Sequence, residues 1–328
     1  MVKALATGRL DGASVLIEDT AQANRLHNKA LAGAPETGNT LRLHRVEAAY
    51  CMERGWLDIP GSTVIDLLRA GADEGGQHEV DHLCYNDLRE RGLTVRLHGG
   101  TMQVWDRGHT TKQDPWFTTH VFPERVPIQA AGLADLGGDH VSIVDEDGMV
   151  THYATANAAP QGDVRPPPLP AMTGTLLDDR VLVSDPAAAT VLARASIGTP
   201  HGTGRILSLI EADALVRAGA LDVAADLQLH ARGRHDHFDA TSAAYGALAA
   251  AGVLAKSGFR FGTHLRGYTA DPDTVHAEWL IHCVRPDQAL SWSDLSRGIR
   301  LAHGVRKTFL VAVADAPVRF IALSWFRP

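Results

Sequence analysis

Ala159-Pro160-Gln161-Gly162-Asp163-Val164-Arg165-Pro166-Pro167-Pro168-Leu169-Pro170 divides the chain. Five prolines in these twelve residues exclude a helix and disfavour a central strand, because proline fixes φ and has no backbone N–H. The stretch reads as a stiff, extended linker near the middle of 328 residues. A break there invites a comparison of the two sides, and they match in order. Thr7-Gly8-Arg9-Leu10 with Val15–Asp19 matches Thr173-Gly174-Thr175-Leu176 with Val181–Asp185. Leu43–Ala48 through Gly55–Asp58 matches Leu207–Ala212 through Gly219–Asp222. Tyr85–Leu88 through Gly92-Leu93 matches Tyr245–Leu248 through Gly252-Val253, and Thr119-His120-Val121 matches Ile281-His282-Cys283. The offset drifts only between 166 and 160. We read a tandem duplication: residues 1–158, a linker at 159–171, and residues 172–328. Each copy has two parts, about 1–75 and 76–158, then about 172–235 and 236–328.

The pattern inside the second copy predicts mixed α/β (α+β) structure. Short strands are expected near 176–183 and 205–209. Asp185-Pro186 reads as a cap with proline at the first helical position. Helices are predicted over Ile210–Ala218, stopped by Gly219, over Asp239–Ala251, closed by Gly252, and over Ser293–His303, ended by Gly304. Strands are expected near 253–268, 278–285, 305–314 and 317–325.

Composition narrows the function classes. Hydrophobic residues make up 45% and charged residues 21%, which argues against wholesale disorder. No run approaches the ~18 apolar residues of a membrane helix, and Met1–Arg9 turns polar too soon for a signal peptide. A cytoplasmic protein with no membrane partner is expected. Cys51, Cys84 and Cys283 are isolated and read as buried thiols. Residues 171–328 carry 16 Lys+Arg against 15 Asp+Glu, leaving 15 against 23 for residues 1–170. The halves therefore differ by nine charges, which suggests different tasks.

Three segments of the second copy carry chemistry: Gly258-Phe259-Arg260-Phe261-Gly262-Thr263-His264 leading to Tyr268, His276-Ala277-Glu278, and Arg297-Gly298-Ile299-Arg300-Leu301-Ala302-His303-Gly304-Val305-Arg306-Lys307. Together they resemble the archaeal tRNA-splicing endonucleases (tRNA-intron endonucleases), in the fused two-repeat form that pairs as a homodimer. The resemblance covers nearly the whole chain, with motif quality in the second half. It implies a restriction-endonuclease-like second part in each copy. It also implies cleavage of precursor tRNA in a bulge-helix-bulge, with catalytic positions at Tyr268, His276 and Lys307.

The residue types suit that chemistry. Metal-free RNA cleavage uses the ribose 2′-hydroxyl as nucleophile, with a general base on its proton and a general acid on the leaving 5′-oxygen. A cation offsets charge on the phosphorane. Histidine, with an ordinary pKa near 6.5, is a good acid, and lysine is a point charge for phosphate. Tyrosine, near 10, acts as base only if its neighbours help; that role comes from the resemblance. The loop Thr269–Val275 is short for the family. No metal and no cofactor are expected. The family's clamp on a bulge nucleotide maps to Arg300 and to either Trp325 or Arg327. Its acidic loop, which reaches a basic pocket on the partner subunit, maps to Asp145, Glu146 and Asp147; by itself the stretch reads as a hairpin turn. His264, His282 and His303 are read as structural.

In the first copy Trp105 aligns with Tyr268, Asp114 with His276, and Leu136–His140 with the segment holding Lys307, so that copy reads as non-catalytic. Two other readings compete. His235-Asp236-His237 could hold a metal in a hydrolase, although no H-E-x-x-H or partner cluster accompanies it. Alternatively the whole chain is a non-catalytic RNA-binding or assembly subunit. Neither phosphate-loop nor dinucleotide motif occurs.

Overall fold

The computed structural model describes residues 4–109 and 111–328. The first copy runs β1 (Ala6–Thr7), β2 (Arg9–Asp11), β3 (Ser14–Ile17), α1 (Thr20–Ala30), β4 (Ala34–Pro35), β5 (Leu41–His44), α2 (Arg45–Glu53), β6 (Leu57–Asp58), α3 (Val64–Asp73), α4 (His78–Glu90), β7 (Thr94–His98), β8 (Thr101–Trp105), β9 (Phe117–Pro123), β10 (Ile128–Gln129), α5 (Ala130–Asp135), β11 (His140–Val144) and β12 (Val150–Ala158). The second runs β13 (Met172–Leu176), β14 (Arg180–Val183), α6 (Pro186–Arg194), β15 (Thr199–His201), β16 (Gly204–Ser208), α7 (Leu209–Arg217), β17 (Leu221–Val223), α8 (Leu227–Arg232), α9 (Phe238–Ala250), β18 (Leu254–Ser257), β19 (Leu265–Tyr268), β20 (Trp279–Val284), β21 (Ala289–Leu290), α10 (Trp292–Gly304), β22 (Thr308–Val313) and β23 (Arg319–Phe326). The two orders correspond element for element once β13 is set against β1 and β2 together. β13 makes both pairings itself, antiparallel to β14 and parallel to β17.

Two compact units are present. One holds the described residues through Val126, with Asp139–Ala154 and Phe326–Pro328; the other holds Pro127–Gly138 and Thr155–Trp325. In the first unit β7, β8 and β9 are antiparallel neighbours, β9 pairs parallel with β11, and β11 is antiparallel to β12. In the second unit β18, β19, β20, β22 and β23 repeat that order and those directions. The fold is mixed α/β, a two-part unit used twice.

Local sequence explains the elements. Asp185 caps α6, accepting from the Ala187 and Ala188 amides, with Pro186 following. Ser208 and Glu211 form a capping box on α7, as His44 and Glu47 do on α2. Gly219 and Gly252 take positive φ beyond α7 and α9. The strand region expected near 253–268 is a hairpin of β18 and β19. Gly258 to Gly262 break it with a 3₁₀ turn at Phe259–Phe261. The proline-rich stretch is extended and docked: Gly162, Asp163 and Val164 donate to the carbonyls of Ala251, Thr269 and Gly252. Proline leaves the intervening segment no ladder of its own, so these three amides fix it.

Candidate active site

Tyr268 closes β19 and is only 7% exposed. It packs with Leu254 and Ala277, and with Val164 and Val275. The Arg266 guanidinium lies 5.6 Å from its ring centre. His276 sits exposed on the stretch leading into β20. Among the described residues no hydrogen bond to its imidazole is found. Lys307 follows the reversal that ends α10. There Arg306 takes φ 55°, and the Lys307 amide donates to the carbonyl of Ala302. The chain then enters β22, and the Lys307 ammonium donates to the carbonyl of Ala277 at 2.6 Å.

Ala277 therefore joins the three positions. It follows His276 in the chain, packs in the cluster with Tyr268, and accepts from Lys307. Tyr268, His276 and Lys307 are thereby placed at one end of the β19–β20 pair. Pairing there is fixed by Gly267 opposite Trp279, where a Cβ on Gly267 would lie 3.0 Å from the Trp279 ring.

Arg300 is exposed on α10. His303, one turn on, meets the Trp325 ring edge-on at 6.2 Å, and Trp325 is 41% exposed. The structure thus brings Arg300 and Trp325 to one side of α10 through His303, a residue that reads as structural in sequence. The i, i+3 spacing from Arg300 was the available signal. Arg327 belongs to the other unit, where its neighbour Phe326 packs edge-on against Phe117 and Trp116. Sequence reasoning also missed the backing of Tyr268 by Val164 of the proline-rich stretch. Nothing in composition marks that contact.

The acidic residues form a tight turn. The Asp145 carboxylate accepts from the amides of Asp147 and Met149, and Glu146 pairs with Arg125. Asp147 is exposed, and its carboxylate has no partner among the described residues. His235, Asp236 and His237 lie in the turn before α9. Among the described residues no three His, Cys, Asp or Glu side chains form a group able to hold a metal ion. His237 instead meets the His264 ring edge-on at 4.6 Å, and His264 lies 4.6 Å from His282. His264 Nδ1 accepts from the Cys283 amide, which needs a neutral ring. Burial, with His282 and His237 close by, lowers its pKa to about 3. The three cysteines are free and buried, their thiols pushed up to about 12 by burial.

Strand register locates the first copy's equivalents. Thr94 faces Trp105 as Leu254 faces Tyr268, and Val141 faces His120 as Val311 faces His282. Counting from those pairs, Trp105 stands where Tyr268 does, Asp114 where His276 does, and Gly137 where Lys307 does. The Trp105 indole N–H is used on the Gln113 carbonyl. A Cβ on Gly137 would lie 2.3 Å from Asn157 Oδ1, so a side chain there requires the exposed Asn157 to move aside.

Tyr268, His276 and Lys307 thus lie together in one of two related units, and the first copy lacks all three. Residues 238–319 match the catalytic C-terminal domain of tRNA intron endonuclease, and residues 6–66 match its N-terminal domain. The chain is 34% identical to a tRNA-splicing endonuclease of Halobacterium salinarum, over 98% of its own length and 99% of that protein. It is 33% identical to one of Haloferax volcanii, over 94% and 95%, and 30% identical to one of Methanococcoides burtonii, over 94% and 96%. The protein belongs to the tRNA-splicing endonuclease family and is an endoribonuclease. Among the described residues no helix is long and apolar enough to cross a membrane.

Proposed function

We propose that this chain cuts precursor tRNA at both intron boundaries within a bulge-helix-bulge, by metal-independent attack of a ribose 2′-hydroxyl. The observation that carries this reading is the convergence of Tyr268, His276 and Lys307 on Ala277. Tyr268 takes the 2′-hydroxyl proton as that oxygen bonds to phosphorus. Lys307 offsets the charge on the phosphorane. His276 gives a proton to the 5′-oxygen as the P–O bond breaks. The products are a 2′,3′-cyclic phosphate and a 5′-hydroxyl. Arg300 and Trp325 hold an extruded base between a guanidinium and an indole, with Arg327 the alternative to Trp325.

The proposed assembly is a cytoplasmic homodimer with boundaries as read from the sequence, residues 1–158 structural and 172–328 catalytic. Asp147, the unengaged acid of its turn, suits a cationic receptor on a second copy. A cavity of about 470 Å³ in the catalytic unit is lined by Arg180, Arg234, Lys256 and Arg266 together with Asp179 and Glu211; Arg180, Arg234 and Lys256 are paired with Asp179, Asp178 and Glu211, which leaves Arg266 as the cation for such a contact. Arg266 Nε lacks a partner among the described residues.

The test is a labelled precursor-tRNA transcript incubated with protein in excess EDTA. Two cuts with cyclic-phosphate ends, lost in His276→Ala, support the reading. Cleavage that needs an added divalent metal refutes the mechanism.

A further inference from the structure

Phe259 is 87% exposed, yet the turn carrying it is tightly made. The Phe259 amide donates to Ser257 Oγ, the Phe261 amide to the Gly258 carbonyl, and the Gly262 amide to the Phe259 carbonyl. Buried Thr263 ties the base, its hydroxyl donating to the Leu265 carbonyl at 3.1 Å. Two glycines are needed. A Cβ on Gly258 would lie 2.3 Å from Thr263 Oγ1 and 2.8 Å from the Leu265 carbonyl oxygen, and Gly262 has φ +62°. A turn this constrained that aims a phenyl ring at water gains nothing from the ring in folding.

The neighbouring side chain supplies the chemistry. Arg260 is exposed and has no ion pair among the described residues. It lines a groove of about 460 Å³ with Phe261, Arg297, Leu301, His237 and His282. Asp294 is the one acid lining that groove, and it is already engaged by Ser291 and Arg297. The groove is therefore cationic and complements a phosphate chain. The turn sits at the far end of the β18–β19 hairpin from Tyr268. Leu254 faces Tyr268 at one end and Ser257 faces Leu265 at the other. Three residues of strand span about 10 Å, close to three stacked nucleotides at about 3.4 Å each.

From this placement we propose that Phe259 and Arg260 form a further RNA contact. Phe259 stacks on an unpaired base of the substrate a few nucleotides from the cut, and Arg260 binds the adjoining phosphate. Base–aromatic stacking is sequence-tolerant, and a neighbouring guanidinium strengthens it. The contact lies outside the residues assigned to cleavage and to the base clamp, and it rests on the reading of the protein as an RNA endonuclease.

The test measures filter binding of precursor tRNA in a His276→Ala background, with single-turnover cleavage in the otherwise unsubstituted protein. Phe259→Ala should weaken binding about 5- to 100-fold, the range for losing one stack. Phe259→Trp should restore it, and cleavage at saturating protein should stay within twofold. Arg260→Ala should reduce the slope of log affinity against log salt by about one. Binding of Phe259→Ala within twofold of the parent overturns the proposal. So does a change in sedimentation without a change in RNA affinity, which would make the ring a protein contact. Failure of the unsubstituted protein to cleave tRNA would refute the catalytic reading instead, and the binding comparison still decides this one.

Discussion

Replacing Lys307 with alanine separates two effects that the structure couples. Its ammonium is half-buried and donates to the Ala277 carbonyl at 2.6 Å, so the residue both clips the stretch bearing His276 and places a cation beside it. Hydrogen bonds made by charged groups contribute ~1.5–3 kcal/mol when buried. Partial exposure brings this one to about 1 kcal/mol, a fall in Tm of about 2–4 °C. Removing a preorganised donor from a developing oxyanion costs about 10²–10³ in rate, or ~3–4 kcal/mol. Lys307→Ala should therefore lose about a hundredfold or more in single-turnover cleavage at saturating protein, while remaining folded at the assay temperature by calorimetry. Lys307→Arg keeps the charge but replaces a compact ammonium with a planar fork, and should fall between the two. If the residue were only a clip, the rate loss would track the loss of stability and shrink on cooling. Cleavage by Lys307→Ala within threefold of the parent, or full recovery at lower temperature, refutes the role of phosphorane cation.

Three further outcomes follow from the same geometry. His276→Ala removes an exposed ring with no hydrogen-bond partner among the described residues, so Tm should hold within about 1 °C while cleavage falls about 10²–10⁴-fold; a large Tm loss would show a structural role. Asp147→Lys should shift the protein towards monomer in sedimentation without disturbing the turn, whereas Asp145→Lys would also break the bonds to the Asp147 and Met149 amides; an unchanged sedimentation coefficient for Asp147→Lys removes it from the interface. Glu211 is buried, which alone would raise its pKa, but Lys256 at 2.8 Å and the amides of Ser208 and Gly198 hold the carboxyl below its ordinary value. Its stabilising contribution is therefore present above the unfolded pKa near 4.3 and is lost as pH falls below it. Glu211→Gln should cost about 3 kcal/mol at pH 7 in denaturant titration and flatten the acid side of the stability curve; an unaltered acid limb contradicts that assignment.

Much of the frame was legible in the sequence because its signals are local. Asp185-Pro186 and the glycines at 219 and 252 set helix ends through chemistry within a few residues. The Arg297-Gly298-Ile299 run needed the structure to explain its glycine: a Cβ on Gly298 would lie 2.5 Å from the Phe309 ring, so a glycine there lets α10 lie close against β22. The gathering of Tyr268, His276 and Lys307 was not readable from spacing. It depends on the positive φ of Arg306 and on a single carbonyl, that of Ala277, thirty residues from the lysine that binds it. Docking of residues 162–164 on Ala251, Gly252 and Thr269, which flank β18 and β19, was hidden for a similar reason. Long-range backbone bonds leave no trace in side-chain pattern.

The two copies show which parts of the unit folding demands and which only chemistry demands. Glu47 accepts from the amides of Gly33 and His44 and pairs with Arg96. Glu211 accepts from Gly198 and Ser208 and pairs with Lys256. The same carboxylate, glycine and cation recur, with arginine exchanged for lysine, because a buried carboxylate without those partners is costly. In both units the parallel pairing within the five strands recurs, β9 with β11 and β20 with β22. At the positions of Tyr268, His276 and Lys307, by contrast, the first copy has an indole bonded to its own loop, a carboxylate, and a glycine under Asn157. An imidazole exposed to solvent and a half-buried ammonium do little for folding. On the proposed function, positions released from catalysis are free to change, and the first copy differs at all three. The loss is confined to one end of one strand pair while the network at Glu47 persists. That is the divergence expected where one unit keeps the reaction and the other keeps only the fold.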